Sequence, residues 1–287
     1  TLAMQPGLSA SSFGPIASRP IIRGQGGLRV QTYQDGGDTL EAAALSDDHA
    51  VTLDPLLAER IEVVRGPAAL MFGNAAAAGA INVVTPRIPL ERIEQTLRGA
   101  LEMRAGTAAE ERSVGSHIAV RLGEHLQFHA DAHRQRSEDL HIPGFVWSSA
   151  ARADAVAAGE PVDLSRGTLV NSAGEADGGG AGLAWVGERH AFGLSLSRYD
   201  SEYGLPGLGE EAGEPPGIRL SMSQRRDDFS GQWQPSSGGI RVLRLRASRN
   251  DYEHLELEPS GDIGTRYAQL GTELRLTAEH GDALGAA

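Results

Sequence analysis

The chain has 287 residues, with 26 Lys+Arg against 38 Asp+Glu, a net charge of −12 and no Cys. The acidic balance argues against a nucleic-acid partner, which needs a basic face, and it suits a cationic ligand better than an anionic one. Without Cys there are no disulfides, no thiolate zinc site and no thiol nucleophile. No apolar run approaches the roughly 18–20 residues of a membrane helix, a test that a membrane β-barrel escapes. The length allows one large or two ordinary domains.

The first residues, TLAMQPGLSA, lack the basic start and apolar core of a signal peptide, so an exported protein of this sequence is expected to have lost its beginning. Residues 1–90 then mix short strands with helical pieces. Ile21–Arg23 and Leu28–Tyr33 read as β runs split by Gly24-Gln25-Gly26-Gly27, with Asp35-Gly36-Gly37 as the next turn. Asp54-Pro55 signals a helix start, because Asp caps free N–H groups and Pro suits the first helical position. Leu56–Arg60 is expected as a short helix and Ile61–Arg65 as a strand. Gly66-Pro67 opens another helical turn that Gly73 ends, and Ala80–Thr85 is a further strand closed by Pro86 and Pro89. Together these make a compact α+β unit.

From about residue 92 the period changes to two. Ile118, Val120 and Leu122 alternate with His117, Ala119 and Arg121; Leu126, Phe128 and Ala130 alternate with His125, Gln127, His129 and Asp131. The same pattern recurs around Phe192–Ser197, Leu243–Ser248, His254–Glu258 and Glu273–Thr277. It predicts about eight antiparallel strands with one apolar and one polar face. Short turns (Gly123-Glu124, Gly187-Glu188) are expected to alternate with long loops at 137–179 and 201–217, as in a barrel that keeps its tight turns on one side of a membrane. A soluble sheet with one wet face has the same alternation.

PIIRGQGG (20–27), DPLLAERIEVVRGPAALMFG (54–73) and AGAINVVT (78–85) resemble the plug domain of TonB-dependent outer-membrane receptors. The resemblance covers residues 1–90. It implies a plug, incomplete at its N-terminus, followed by the first part of the barrel in residues 91–287. It also implies a site in the outer membrane of a Gram-negative cell and transport without catalysis or catalytic cofactor. Lipid and the inner-membrane TonB energy-coupling complex are the implied partners, the latter through an N-terminal segment lacking here. Arg65, Gly66, Pro67 and Gly73 fall on the structural motif of the plug; Arg65 is expected to pair with barrel acids, and Glu62 likewise to pair with the barrel. Receptors of this class close a barrel of about 22 strands around the plug. Eight strands leave open edges that lipid does not tolerate, so a fragment of a longer receptor is expected, with a degenerate remnant as the alternative.

Within that class the plug most resembles the subgroup taking up zinc, and sometimes haem, which carries an Asp-His pair just before the DPLLAER segment. Here the pair is Asp48-His49, and carboxylate plus imidazole is a suitable partial set for transported Zn²⁺ or another divalent metal. Asp47 is expected to tune the field or stay wet. In Tyr252–Glu258, outward Leu255 and Leu257 turn His254, Glu256 and Glu258 inward, and positions i and i+2 lie about 7 Å apart along a strand. His254 and Glu256 are therefore candidate further ligands. His125, His129 and His133 lie roughly 13 Å apart at each step, too far for one ion, and are expected to line the lumen. His141 is a candidate capture point, and Trp147, Trp185, Trp233, Tyr199 and Tyr203 are expected at interfaces. Haem or siderophore import is the alternative within transport, and a soluble β-rich binding or adhesion protein the alternative outside it. No nucleophile elbow or phosphate-binding loop is present.

Overall fold

The computed structural model describes residues 5–39, 46, 49–51, 58–72, 76–160, 162, 164–206, 217–236 and 239–280. Asp47, Asp48, Gly73 and 52–57 lie outside them, so the expected metal-site Asp48, the end of the Gly66 turn and most of the expected 56–60 helix are not described. Ala58 and Glu59 are not helical, and Arg60 opens a strand.

The plug is built around β6 (Gly79–Val84), which lies between two neighbours. It runs parallel to β3 (Val30–Gln34) and antiparallel to β5 (Arg60–Val64), and β3 turns back on the short β4 (Gly37–Asp38). The run AINVV is apolar except for Asn82 because both faces are covered, and buried Asn82 accepts from Gly36 N and donates to Glu62. Ile81 and Val83 pack with Leu8, Ile22 and Val30, while Ala80 packs on the other side with Tyr33, Ala69 and Ala76. Leu8 and Ile22 come from a separate antiparallel pair, β1 (Leu8–Ala10) and β2 (Pro20–Ile22). Gly79 allows the close fit: its φ is 150°, and a Cβ there would lie 2.7 Å from the Val64 carbonyl oxygen. The turn after β5 is 3-10 over Gly66–Phe72.

Eight long antiparallel strands follow: β7 (Leu97–Gly106), β8 (Glu111–Arg121), β9 (Leu126–Ser137), β12 (Gly174–Val186), β13 (His190–Gly204), β14 (Arg219–Trp233), β15 (Ile240–Leu257) and β16 (Ile263–His280). They form one sheet in the order β16-β15-β14-β13-β12-β9-β8-β7. The expected runs at 243–248 and 254–258 are two ends of the single strand β15. The expected loop 137–179 instead holds a hairpin, β10 (Leu140–Phe145) and β11 (Arg166–Leu169), with α1 (Ser149–Ala158) between them. Ser148 caps α1 by accepting from the Ala151 N–H, and Gly159 at φ 74° ends it. The glycine-rich start of β12 hid that strand, because glycine disfavours strands unless something must approach closely.

The alternation has an inverted sense. Leu194, Leu196, Leu274 and Leu276 face outward at 62–71 % exposure, while inward Ser195 is buried and inward Gln224, Ser248 and Asn250 are buried against the plug. The outward apolar band covers the end with the tight turns at 122–125 and 187–189. Toward the other end the outward positions become Arg134, Arg136, Asp177, Arg198, Asp200, Arg225, Arg249 and Asp251. Tyr199 and Tyr203 lie on the inward register of β13 and are not interfacial: Tyr203 is 1 % exposed. Trp185 and Trp233 are outward at the tight-turn end.

The plug sits on the concave face and is held at three heights. At mid-height the Thr39 carbonyl accepts from Gln224 Nε2 (3.1 Å) and Asn250 Nδ2 (2.5 Å), Arg226 Nη1 donates to the Asp38 carbonyl (2.7 Å), and Asp38 N donates to Glu273 (2.8 Å). Near the tight turns, Arg87 makes two 2.8 Å bonds to Asp131, and Gln127 donates to the carbonyls of Pro89 and Glu91. Gly180 and Gly182 of β12 leave the room that the Arg87 backbone and side chain occupy. The third height is the site itself.

Candidate metal centre at the plug apex

His49 stands in the plug segment that rises to the end of the sheet opposite the tight turns, and β15 meets it there. Because β15 alternates, His254 and Glu256 share the inward face with Tyr252, and the register sets His254 opposite Met222 of β14 and Tyr267 of β16. His49, His254 and Glu256 each present one ligand atom, all within 4.8 Å of one another. His49 Nε2 is 3.6 Å from Glu256 Oε1, and the two imidazoles meet edge-on with ring centroids 5.1 Å apart. Both histidines are buried, at 7 % and 2 % exposure, and Glu256 is half-buried. Three of the four residues singled out as candidate ligands thus come together, and two of them are on the wall while one is on the plug. Glu258 lies beyond the strand end and is exposed.

The surroundings hold these groups in place. The Tyr252 hydroxyl lies 2.7 Å from His254 Nδ1, while His254 Nε2 is buried with no hydrogen-bond partner among the described residues. The Tyr267 ring lies 4.5 Å from that of His254. On the plug side, Ala50 N donates to the Tyr203 hydroxyl at 2.7 Å, which ties the residue after His49 to β13. Tyr203 and Tyr252 belong to one buried cluster with Ala17, Ala50, Leu205, Leu220 and Met222. Sequence reasoning missed the part of Tyr203 entirely. The signal for Tyr252 was present, since it precedes His254 by two and shares its face.

The other candidates lie elsewhere. His129 and His133 face inward and are buried. His129 lies 3.5 Å from Asp131 and stacks on His117 with centroids 5.9 Å apart. His125 sits outside this row in the tight turn, bonded to the Val186 carbonyl and packed on Trp185. His141 is exposed on β10. Arg65 does not reach a barrel acid: among the described residues its hydrogen bond goes to the Pro6 carbonyl (2.9 Å), because the Gly66 turn points it back across the plug. Glu62 bonds within the plug to Arg60 and Asn82, and these hydrogen bonds hold its carboxyl below the usual range. Gly66 (φ 72°) is left-handed, as its place after β5 requires, and Pro67 continues the same turn.

Residues 1–80 match the family described as TonB-dependent Receptor Plug Domain. Over 81 residues the chain is 37 % identical to a hemin receptor of Yersinia pestis and 35 % identical to one of Yersinia enterocolitica. Each alignment spans 28 % of this chain and 12 % of the relative, so the match is confined to a small part of those proteins. Among solved structures, the copper transporter OprC superposes on 96 % of this chain with a TM-score of 0.71 and 18 % identity, and the FrpB iron transporter from Neisseria meningitidis on 98 % with 0.69 and 15 %. The chain spans 40 % and 43 % of their lengths. At these identities the likeness is one of fold, and it extends well beyond the plug. These relatives are receptors and transporters, not enzymes. Residues 1–80 thus match a TonB-dependent receptor plug, and the described chain as a whole has the fold of such a plug with part of an adjoining antiparallel barrel, an architecture of the Gram-negative outer membrane.

Proposed function

We propose that this chain belongs to a TonB-energised uptake receptor whose cargo is a divalent metal ion of the zinc class. Its plug unit is residues 1–90 and its barrel part residues 91–287. The observation that carries the reading is the convergence of His49, His254 and Glu256 within 4.8 Å. Two imidazoles and a carboxylate suit a borderline cation such as Zn²⁺ and are a poor set for hard, all-oxygen Ca²⁺ or Mg²⁺. Asp48, adjacent to His49, is the natural fourth ligand. The long connections 138–173 and 205–218 leave the same end of the sheet and would face the exterior.

A site divided between plug and wall supports transport as well as binding. A cation held by both bodies ties them together. Any displacement of the plug, drawn by the inner-membrane TonB complex, removes His49 and halves the imidazole donors, so affinity falls at the moment of passage. Zn²⁺ is cargo here and not a catalytic cofactor.

Haem or siderophore import is the second reading, favoured by the plug relationship to hemin receptors and by the His and Tyr side chains gathered at the apex. Isothermal titration of the purified receptor with Zn²⁺ and with hemin separates the two. For the metal reading, His49→Ala and His254→Ala each weaken Zn²⁺ binding by roughly 100-fold or more, beyond what loss of a supporting contact does. Unchanged Zn²⁺ affinity in both variants, or saturable binding of hemin alone, refutes it.

A further inference from the structure

The geometry points to Tyr252 as the positioning residue that selects the metal-binding tautomer of His254. The inference rests on the metal reading of the apex. A neutral imidazole carries one proton on two nitrogens, and only the bare nitrogen can take a cation. His254 has its two nitrogens in different situations. Nδ1 lies 2.7 Å from the Tyr252 hydroxyl, and Nε2 is buried without a hydrogen-bond partner among the described residues, on the ring that faces His49 and Glu256.

Tyrosine oxygen both donates and accepts. When Tyr252 accepts from Nδ1–H, Nε2 presents its lone pair to the cation. When Tyr252 donates to Nδ1, the ring proton moves to Nε2 and blocks the ligand position. A cation at the apex therefore selects the first arrangement, and Tyr252 turns its hydroxyl proton elsewhere. The phenol can perform this exchange because it is wholly buried at 0 % exposure, where no water competes for Nδ1. It also lies two residues from His254 on the same face of one strand, so strand geometry holds the pair together. The Tyr267 ring of β16 also packs on His254, with centroids 4.5 Å apart. Metal-bound histidines commonly donate their second N–H in this way, and loss of the acceptor weakens binding.

Tyr252→Phe in the detergent-solubilised receptor keeps the ring and deletes the acceptor. The expected result is Zn²⁺ affinity lowered by about 10–100-fold, whereas Met222→Leu, a packing change in the same cluster, leaves it within about 2-fold. If Tyr252→Phe binds Zn²⁺ as tightly as Met222→Leu does while His254→Ala does not bind, the site stands and the role of Tyr252 is wrong. If His254→Ala binds as the unaltered receptor does, the metal reading itself has failed. A readout without any substitution guards against misfolding. ¹⁵N NMR of His254 in the Zn²⁺-loaded receptor should show the proton on Nδ1 and the metal on Nε2. Metal on Nδ1 overturns the proposal.

Discussion

Asp35 shows how one residue does two tasks in the plug. With Gly36 it forms the turn between β3 and β4, both residues at positive φ (53° and 77°), the type I′ pattern that matches strand twist. Its carboxylate also accepts from the Thr85 N–H at 2.7 Å and from the Thr85 hydroxyl at 2.8 Å. Burial nevertheless raises its pKa above the usual carboxylate value, outweighing these two bonds. Between the unfolded pKa and this raised one, the folded state keeps a proton that the unfolded state has lost. Stability from this group is thus full below pH 3.8 and lost as pH rises through the folded value. Asp35→Asn tolerates the left-handed backbone, and its amide can serve both Thr85 contacts. We expect the variant to melt higher than the unaltered receptor at neutral pH, with the gap closing below about pH 4. A gap independent of pH in melting curves would contradict this account. Glu62 pulls the other way, since its carboxyl is held low and its contribution is lost on acidification, so the test is the difference between variants and not the raw curve.

At the scale of elements, the segment after β6 is what fastens the plug to the wall near the tight turns. Arg87 and Asp131 are 9 % and 2 % exposed in their side chains and form a bidentate pair. The glycines of β12 make room for it: a Cβ on Gly180 would come within 2.7 Å of Arg87 Nε. Asp131→Ala leaves a buried guanidinium without its carboxylate and is expected to cost about 3–5 kcal/mol, read as a lower denaturation midpoint. The Asp131→Ala/Arg87→Met double variant should recover much of that loss, and failure to recover would mean that the pair is not the source. This segment also shows where legibility stopped. The strands β8, β9 and β13 were readable because apolar and polar residues alternate cleanly along them. The first half of β12, GEADGGG, reads as loop in the sequence, since its glycines leave room for close neighbours, Gly180 for Arg87 Nε and Gly178 for the His133 ring, and carry no alternation of their own. Likewise β15 was read as two runs, because Arg249, Asp251 and Glu253 replace the apolar outward residues in its middle.

For the whole molecule, the band of outward leucines and phenylalanines at the tight-turn end and the charged outward residues beyond it define where a bilayer would lie. The apex with His49, His254 and Glu256 is at the level of outward Glu253 and Leu255, above the band. Leu194, 62 % exposed and outward on β13, lies within the band. Leu194→Arg is expected to cost about 2–4 kcal/mol for insertion into lipid vesicles, measured by denaturant titration of the vesicle-folded receptor. In a soluble β-rich protein the same change at an exposed site would alter stability by no more than about 0.5 kcal/mol, so the result discriminates the two classes directly.

Sequence alone determined which residues share a face, because a strand turns successive side chains to opposite sides whatever its neighbours do. It also determined the plug, through a long ordered motif, and it brought forward His49, His254 and Glu256 as ligand types. Only the tertiary structure decided that these three meet, that Tyr252 and Tyr203 stand behind them, and that Arg65 turns to the plug instead of the wall. Period-two alternation encodes inward or outward but contains neither the register between strands nor the height and rotation of the plug against them. Those depend on contacts between segments far apart in the chain, such as Thr39 with Gln224 and Asn250, and Arg87 with Asp131.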